Sequence, residues 1–183
     1  MLRLRNPVRP YAWGSRTAIP ELLGQPVPST EPQAELWLGA HPGDPSYVEL
    51  PGGPQSLLER IAADPVGELG AGVVAEFGPR LPFLLKVLAA DAPLSLQAHP
   101  SATQARAGFA AEEAAGIPRD APHRNYRDEA HKPELVCALT PFDALCGFRE
   151  VPATVRLWER LAVPGLAEPL AALRAGDLRA AVT

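Results

Sequence analysis

Two short polar stretches carry residue types at spacings that could do chemistry. In the first, "LSLQAHPS", Gln97 and His99 stand two residues apart within a β-like run that stops at Pro100. Alternate side chains of a strand project to the same face, so Gln97 and His99 point together, away from Leu96 and Ala98. An amide and an imidazole on one face predict that something polar meets that face.

The second stretch, "YRDEAHKPEL", places His131, Lys132 and Glu134 at the entrance to an apolar run. A charged side chain in that position is costly unless it is paired or bound to a metal. One carboxylate, one imidazole and one amide oxygen could therefore converge on a metal ion. The spacing alone does not choose between a metal site and an unrelated polar loop, because the zinc motifs that stand alone use paired Cys or His in tight registers.

The elements that must position these residues are mostly short strands punctuated by proline and glycine. Six runs have the apolar or alternating pattern of strands. They are "AELWLGAHP", "YVEL", "FLLKVLAA", "LSLQAHP", "ELVCALT" and "ALCGFRE". Short strands at this spacing favour a sandwich or a barrel.

Helices are predicted as excursions from the strands. One begins at Ser56 with Glu59 three residues later, and another runs over 101–115 and is closed by Gly116 and Pro118. After Arg149 the chain becomes rich in Ala, Leu and Arg with apolar residues at helical intervals. That helical pattern ends without a stop signal, which favours a fragment of a longer protein.

Composition and charge exclude several classes of function. The 183 residues are 46% hydrophobic and 21% charged, which is typical of one soluble domain with a core. The net charge of -4, with scattered basic residues, argues against a nucleic-acid partner. The longest apolar run is broken by Lys86 and is too short to cross a membrane, and no secretory signal is present, so we expect a cytoplasmic protein. Cys137 and Cys146 are expected to be two reduced thiols in the core.

Four stretches taken together make the sequence recognisable. "YAWGS", "AELWLGAHP", "LPFLLKVLAADAPLSLQAHPS" and "NYRDEAHKPELVCALTPFDALCGFRE", in this order, resemble the type I phosphomannose isomerases. The resemblance implies a mainly β fold, a cupin-type jelly-roll β-sandwich with helical excursions. It also implies an incomplete cupin-like zinc-binding catalytic domain over 1–150 and the start of a helical insert domain over 151–183.

The resemblance also implies a zinc site. Gln97, His99 and Glu134 occupy the positions of the family's metal ligands, and one Zn2+ is expected in each complete enzyme. The family's fourth ligand is a later histidine, and a later arginine is credited with a catalytic part. Both are expected beyond Thr183, so the site is expected to be incomplete in this sequence, which alone would be inactive or nearly so.

The implied reaction interconverts mannose 6-phosphate and fructose 6-phosphate through an enediol(ate). It needs a base that moves a proton between C2 and C1, and Lys132 ranks ahead of His131 for that role. Lys86 interrupts an apolar strand and, with Ser95, is expected near the substrate phosphate; the alternative for Lys86 is a stem that runs to the strand edge. Trp13 is expected to line the substrate pocket or, equally, to be plain core.

The sequence departs from the family pattern at Ala130, and two other classes of function stay open. Ala130 stands where many relatives have asparagine, which removes a hydrogen bond but no zinc ligand. A shortened, non-catalytic cupin that binds metal or a phosphosugar is the main alternative to a monomeric isomerase. An iron-dependent cupin oxygenase fits less well, because such sites favour two histidines and a carboxylate over Gln97. His41 is expected in a turn and His123 on the surface.

Overall fold

The computed structural model describes residues 2–182. The strands there are β1 Leu4–Arg5, β2 Val8–Arg9, β3 Glu35–Leu38, β4 Tyr47–Val48, β5 Gln55–Ser56 and β6 Leu85–Leu88. The helices are α1 Ala18–Leu22, α2 Leu57–Ala63, α3 Pro65–Leu69, α4 Ala71–Phe77, α5 Ala102–Ala114, α6 Val151–Leu161 and α7 Ala167–Arg174. Among these residues, no helix is both long enough and apolar enough to span a membrane.

The chain divides between Ala98 and His99 into two compact units. The first unit holds two antiparallel three-stranded sheets, with strand orders β1-β4-β5 and β2-β3-β6. The second unit holds α5, α6 and α7.

The core of the first unit lies on one face of the β2-β3-β6 sheet. Leu36 of β3 is buried there with Ile19 and Ala89, and Val87 of β6 stands opposite Leu36 in the ladder. Burying a side chain as large as Leu or Ile stabilises a fold by about 1.5–3 kcal/mol. Because side chains alternate along a strand, the neighbours of Leu36 in β3 must project from the opposite face.

A close approach at Gly14 fastens the segment "YAWGS" to this sheet. A Cβ at Gly14 would lie 2.5 Å from the backbone nitrogen of Ala34, closer than two such atoms can come. Gly14 also bridges to Ala90, and the backbone N–H of Ser15 donates to the carbonyl of Ala89 at 2.9 Å. Only glycine lets the backbone pass so near to its neighbour.

The second unit is organised around a buried arginine. The side chain of Arg124 is fully buried, and its guanidinium donates to Glu113 Oε1 at 2.6 Å and to the Tyr126 carbonyl at 2.7 Å. Glu112 accepts from the backbone N–H groups of Asn125 at 3.0 Å and Tyr126 at 2.7 Å. A buried charge is tolerated when it is paired and hydrogen-bonded in this way, so these contacts bind the loop to α5.

Several sequence predictions agree with the structure. The patterns "AELWLGAHP", "YVEL" and "FLLKVLAA" contain β3, β4 and β6. Ser56 caps α2, Ser101 begins α5 with a complete capping box, and the stretch after Arg149 is helical. His41 lies beside a turn and His123 is exposed, as expected.

Three predicted strands are not strands in the structure. "LSLQAHP", "ELVCALT" and "ALCGFRE" pair with no other segment of residues 2–182. As a result, helices contain more of residues 2–182 than strands do, although a mainly β fold was expected. A strand exists only through its ladder partner, which the pattern of one segment does not supply. Leu135 is 90% exposed and Phe148 is 99% exposed, so the expected apolar faces are there but uncovered.

The cysteines correct a second prediction. Cys137 and Cys146 are free thiols, as expected, but both are exposed rather than part of a core. They lie in two of the segments that lack a ladder partner, which is the reason that no core forms around them.

Gly14→Ala tests the close approach at "YAWGS". The added methyl must push against the Ala34 backbone, so the free energy of unfolding should fall by about 1–3 kcal/mol. Urea denaturation followed by tryptophan fluorescence measures the loss. Gly52→Ala is the matched control, because a Cβ there meets nothing within 4 Å. Equal midpoints for the two variants would contradict the packing argument.

Glu112→Gln tests the acid dependence of the second unit. The Asn125 and Tyr126 backbone N–H groups, with Arg124, hold the pKa of Glu112 below its ordinary value. The carboxylate therefore stabilises the fold above the unfolded pKa, about 4.3, and this contribution is lost as the pH falls through the lower folded value. Urea midpoints of the native chain and the variant should differ at pH 7 and converge as the pH falls below the folded pKa of Glu112. Asp143→Asn, at an exposed position, should show no such convergence.

Candidate functional site

A cavity of about 280 Å³ lies within the first unit and gathers half of the predicted site residues. Four predicted residues line it, although they come from separate points of the chain: Trp13, Lys86, Ser95 and Gln97. The cavity is completed by three residues that were not predicted: Tyr11, Glu35 and Leu94.

The register of the β2-β3-β6 sheet places Lys86 at the cavity. Lys86 of β6 stands directly opposite Trp37 of β3, and Leu88 stands opposite Glu35. All four side chains therefore belong to the face that lies away from the Leu36 core. The alternation that buries Leu36 is thus the same alternation that carries the ammonium to the cavity.

The ammonium of Lys86 makes two contacts on this face. Its Nζ lies 3.3 Å from Glu35 Oε2 and 4.9 Å from the centre of the Trp37 ring. A cation over an indole face is attracted by the ring quadrupole as well as by the carboxylate. These contacts lie along the sheet face, whereas a stem that ran to the strand edge would end in solvent.

Trp13 reaches the cavity from the segment that Gly14 fastens to the sheet. The backbone N–H of Asp91 donates to the Trp13 carbonyl at 2.8 Å, and the Tyr11 and Trp13 rings stack with centroids 5.8 Å apart. Trp13 is half-buried, so part of its ring is free to meet a bound molecule. Of the two expectations for this residue, a lining position fits these contacts better than plain core.

Ser95 and Gln97 line the same cavity from the segment that follows β6. Both are exposed residues of a stretch without ladder pairing, so neither owes its position to a strand. Their hydroxyl and amide groups supply the neutral donors and acceptors of a cavity whose charged members are Lys86 and Glu35.

His99 and Glu134 come together in the second unit. His99 Nε2 lies 3.4 Å from Glu134 Oε2, and the glutamate side chain is 62% exposed. Two ligands of a tetrahedral zinc, each about 2.1 Å from the metal, stand about 3.4 Å apart. The observed separation therefore fits two neighbouring ligands of one zinc ion. Among residues 2–182, no group of three or more His, Cys, Asp or Glu side chains is arranged to hold a metal, so any further ligand must be of another type or lie elsewhere.

His131 and Lys132 are exposed residues of the loop that carries Glu134. The structure gives neither of them a hydrogen bond or ion pair within the described part of the chain. Their catalytic roles stay predictions.

Glu35 is the charged member of the cavity that sequence reasoning missed. It is 8% exposed, and a carboxylate so deeply buried is rare unless it is paired. The signal was present in "AELWLGAHP", where a glutamate and a tryptophan alternate with leucines in one strand. That alternation places Glu35 and Trp37 on the same face, but only the ladder register shows that Lys86 joins them.

Arg9 adds a second cation beside Trp37. Its guanidinium lies 5.2 Å from the Trp37 ring centre and 5.5 Å from that of Tyr11, and its Nη1 donates to Asp44 Oδ2 at 2.7 Å. The hydrogen bond to Asp44, followed by that to Tyr11, raises the pKa of Arg9 above its ordinary value. Arg9 is therefore a permanent charge that packs on the indole.

Sequence comparison finds similar proteins over most of the chain. A family profile described as phosphomannose isomerase type I, catalytic domain, matches residues 1–151. Mannose-6-phosphate isomerase of Escherichia coli (strain K12) is 52% identical over 163 residues, 88% of this chain and 41% of that protein. The enzyme of Salmonella typhimurium (strain LT2) is 50% identical over the same shares. The chain thus spans about two fifths of the length of these curated relatives.

Structural comparison extends the likeness beyond the profile match. The crystal structure of mannose 6-phosphate isomerase from Salmonella typhimurium, bound to its substrate fructose 6-phosphate and to zinc, superposes with a TM-score of 0.85 at 47% identity. The superposition covers 96% of this chain and 44% of the Salmonella chain.

Proposed function

The chain belongs to the type I phosphomannose isomerase family, and from this membership we propose that the protein is a zinc-dependent aldose-ketose isomerase. The proposed reaction interconverts mannose 6-phosphate and fructose 6-phosphate. It is supported by relatives that carry this activity in their names and by a relative with fructose 6-phosphate and zinc bound.

The observation that carries the proposal is the cavity of the first unit. Four residues selected from the sequence, at positions 13, 86, 95 and 97, line one cavity of about 280 Å³. Small-molecule sites are concave and combine apolar walls with a few placed polar groups. A cavity lined by two aromatic rings, a leucine, an ammonium paired with a carboxylate, a hydroxyl and an amide fits that description for a phosphorylated sugar.

Lys86 and Ser95 are the proposed phosphate contacts. An ammonium and a hydroxyl both donate hydrogen bonds to phosphate oxygens, and the ammonium also offsets the negative charge. Trp13 offers a flat apolar surface beside them, which suits the carbon face of a sugar. These three side chains bind and orient the substrate in the proposal.

Gln97, His99 and Glu134 are the proposed zinc ligands, with one zinc for each chain. The 3.4 Å separation of His99 Nε2 and Glu134 Oε2 supports two of the three. When it is bound, zinc can act as a Lewis acid that polarises the sugar oxygens, or as a template that orients them. Glu134, as a ligand, would be a poor free base.

Proton transfer is assigned to the loop residues beside Glu134. A base removes the C2 proton of the aldose, the electron pair forms the enediolate, and the same proton returns to C1 as O2 gives up its proton to O1. Lys132 is the first candidate for this base and His131 is the second, because both lie in the loop that carries Glu134, two and three positions before it.

A cupin jelly roll is the finer fold that we propose. The uncovered apolar side chains of the unpaired segments, such as Leu135 and Phe148, support strands whose partners lie outside residues 2–182. More than half of the length of the relatives lies outside their match to this chain. In this arrangement 1–150 belongs to the catalytic domain and 151–183 begins a helical insert.

The setting of the proposed enzyme follows from its substrate and charge. Two free cysteines fit a reducing compartment, and we place the reaction in the cytoplasm. The net charge of -4 gives no basic surface for nucleic acid, and a monomer with a phosphosugar as its only partner is the simplest assembly.

Glu134→Ala tests the metal site. Removing a ligand should lower zinc affinity by at least the roughly 10- to 100-fold that the loss of an outer-shell partner costs. In the complete enzyme, isomerisation should be lost with the zinc, while the circular dichroism spectrum stays unchanged because Glu134 is exposed. Equilibrium dialysis with metal analysis measures the zinc, and Glu129→Ala is the control. Full zinc content in Glu134→Ala would remove this residue from the ligand set.

Lys86→Ala in the complete, zinc-loaded enzyme tests the substrate site. The loss of a charge-assisted hydrogen bond to phosphate should raise KM by about 10- to 100-fold and leave kcat little changed. Arg5→Ala, which removes an exposed cation from the other sheet, should leave both constants unchanged. An unchanged KM in Lys86→Ala would refute the phosphate role. Phosphosugar binding without any turnover in the complete, zinc-loaded protein would favour the non-catalytic cupin instead.

A further inference from the structure

We infer that Glu35 is a positioning residue that holds the Lys86 ammonium at the cavity, in a clamp completed by Trp37. The inference deepens the proposed function, because Lys86 is the proposed phosphate contact. It rests on a shared acceptor atom, since Glu35 Oε2 meets both Trp37 Nε1 and Lys86 Nζ. We call these three residues the Glu35 clamp.

Burial of the Glu35 carboxylate costs free energy that its neighbours must offset. Its side chain is 10% exposed, and a carboxylate in such a place is strongly destabilising unless charged or N–H donors face it. Trp37 Nε1 donates to Oε2 at 2.6 Å and the Lys86 ammonium lies 3.3 Å from the same atom. The carboxylate is thus compensated by two groups that it also fixes in place.

The Trp37 ring is held in one orientation by its neighbours. Its ring meets the His41 ring edge-on at 4.9 Å and packs under the Arg9 guanidinium at 5.2 Å. Arg9 is held by Asp44, and the Trp37 backbone N–H donates to the carbonyl of residue 7 at 2.9 Å. The direction of the indole N–H is therefore set by the sheet and by Arg9, which makes the clamp rigid on one side.

Glu35 restricts the conformational freedom of the Lys86 side chain. A lysine ends in a compact charge on four rotatable carbons, and this side chain is 36% exposed. Without Glu35, solvent would compete for the ammonium, and a bound phosphate would have to order the whole stem. With Glu35, the ion pair at 3.3 Å holds the ammonium at the cavity before a phosphosugar binds, and the ammonium keeps N–H donors for it.

The sequence makes the clamp accessible to a direct measurement. The chain contains only two lysines, Lys86 and Lys132. Reductive methylation with 13C-formaldehyde therefore labels two side chains and the amino terminus, and Lys86→Arg identifies the Lys86 signal. Methyl groups held over an indole face are shifted upfield by its ring current. We expect the Lys86 signal upfield of the Lys132 signal.

Glu35→Gln should collapse that shift towards the position of an unrestrained lysine, because the neutral amide no longer attracts the ammonium. Glu49→Gln is the matched control, since it neutralises an acceptor that pairs with Arg5 at 3.2 Å in the other sheet. The control should leave the Lys86 signal in place. If Glu35→Gln does not fold, Glu35→Asp, which keeps the charge but shortens the reach, takes its place and should reduce the shift.

Kinetics separates positioning from general support of the fold. In the complete, zinc-loaded enzyme Glu35→Gln should raise KM for the phosphosugar with little change in kcat, in the direction of Lys86→Ala. In the Lys86→Ala background the same substitution should have no further effect, because the group that it positions is gone. A merely structural role would persist in both backgrounds.

Either of two spectroscopic outcomes overturns the clamp: an unshifted Lys86 signal in the native chain, or a shift that Glu35→Gln leaves unchanged. Equal kinetic effects of Glu35→Gln with and without Lys86 would overturn it as well. The signal is read on the 183-residue chain without substrate. An upfield Lys86 there, together with no isomerisation by the complete, zinc-loaded enzyme, would refute the proposed function and leave the clamp standing.

Discussion

The register between β3 and β6 governs the arrangement of the first unit. Pairing Trp37 with Lys86 puts Leu36 against Val87 on the core face and leaves Glu35, Trp37 and Lys86 on the cavity face. A slip of β6 by one residue would send the Lys86 ammonium to the apolar core face and Val87 to the cavity face. Core packing and the chemistry of the cavity are therefore two consequences of one ladder.

Each unit contains a buried, compensated charge, which is negative in the first unit and positive in the second. In the first unit the buried group is the Glu35 carboxylate, and an indole N–H and an ammonium compensate it. In the second unit the buried group is the Arg124 guanidinium, which two glutamates and backbone carbonyls compensate. The difference lies in what is left over. The N–H donors of Arg124 bind groups of the protein itself, whereas the Lys86 ammonium lies at a cavity. The arrangement in the first unit is therefore the one suited to binding a ligand.

The unpaired segments show how far a local pattern can be trusted. The apolar alternation of "ELVCALT" and "ALCGFRE" is that of strands, yet Leu135 and Phe148 stand almost fully exposed. Backbone groups of a strand need partners from another segment, so the local sequence states a preference and not an outcome. Helix α5 is different, since its hydrogen bonds and its capping box at Ser101 lie within the segment itself.

The local sequence was sufficient for α2, α5 and the helices after Arg149, because caps and helical spacing act over a few residues. The sequence and its family resemblance also singled out Lys86, Ser95, Gln97 and Trp13, which line one cavity in the structure. The local sequence was not sufficient for Glu35, whose role depends on a partner some fifty positions later in the chain. Which strands pair, and therefore which side chains share a face and a cavity, is decided by contacts between distant segments, and no single stretch of sequence contains those contacts.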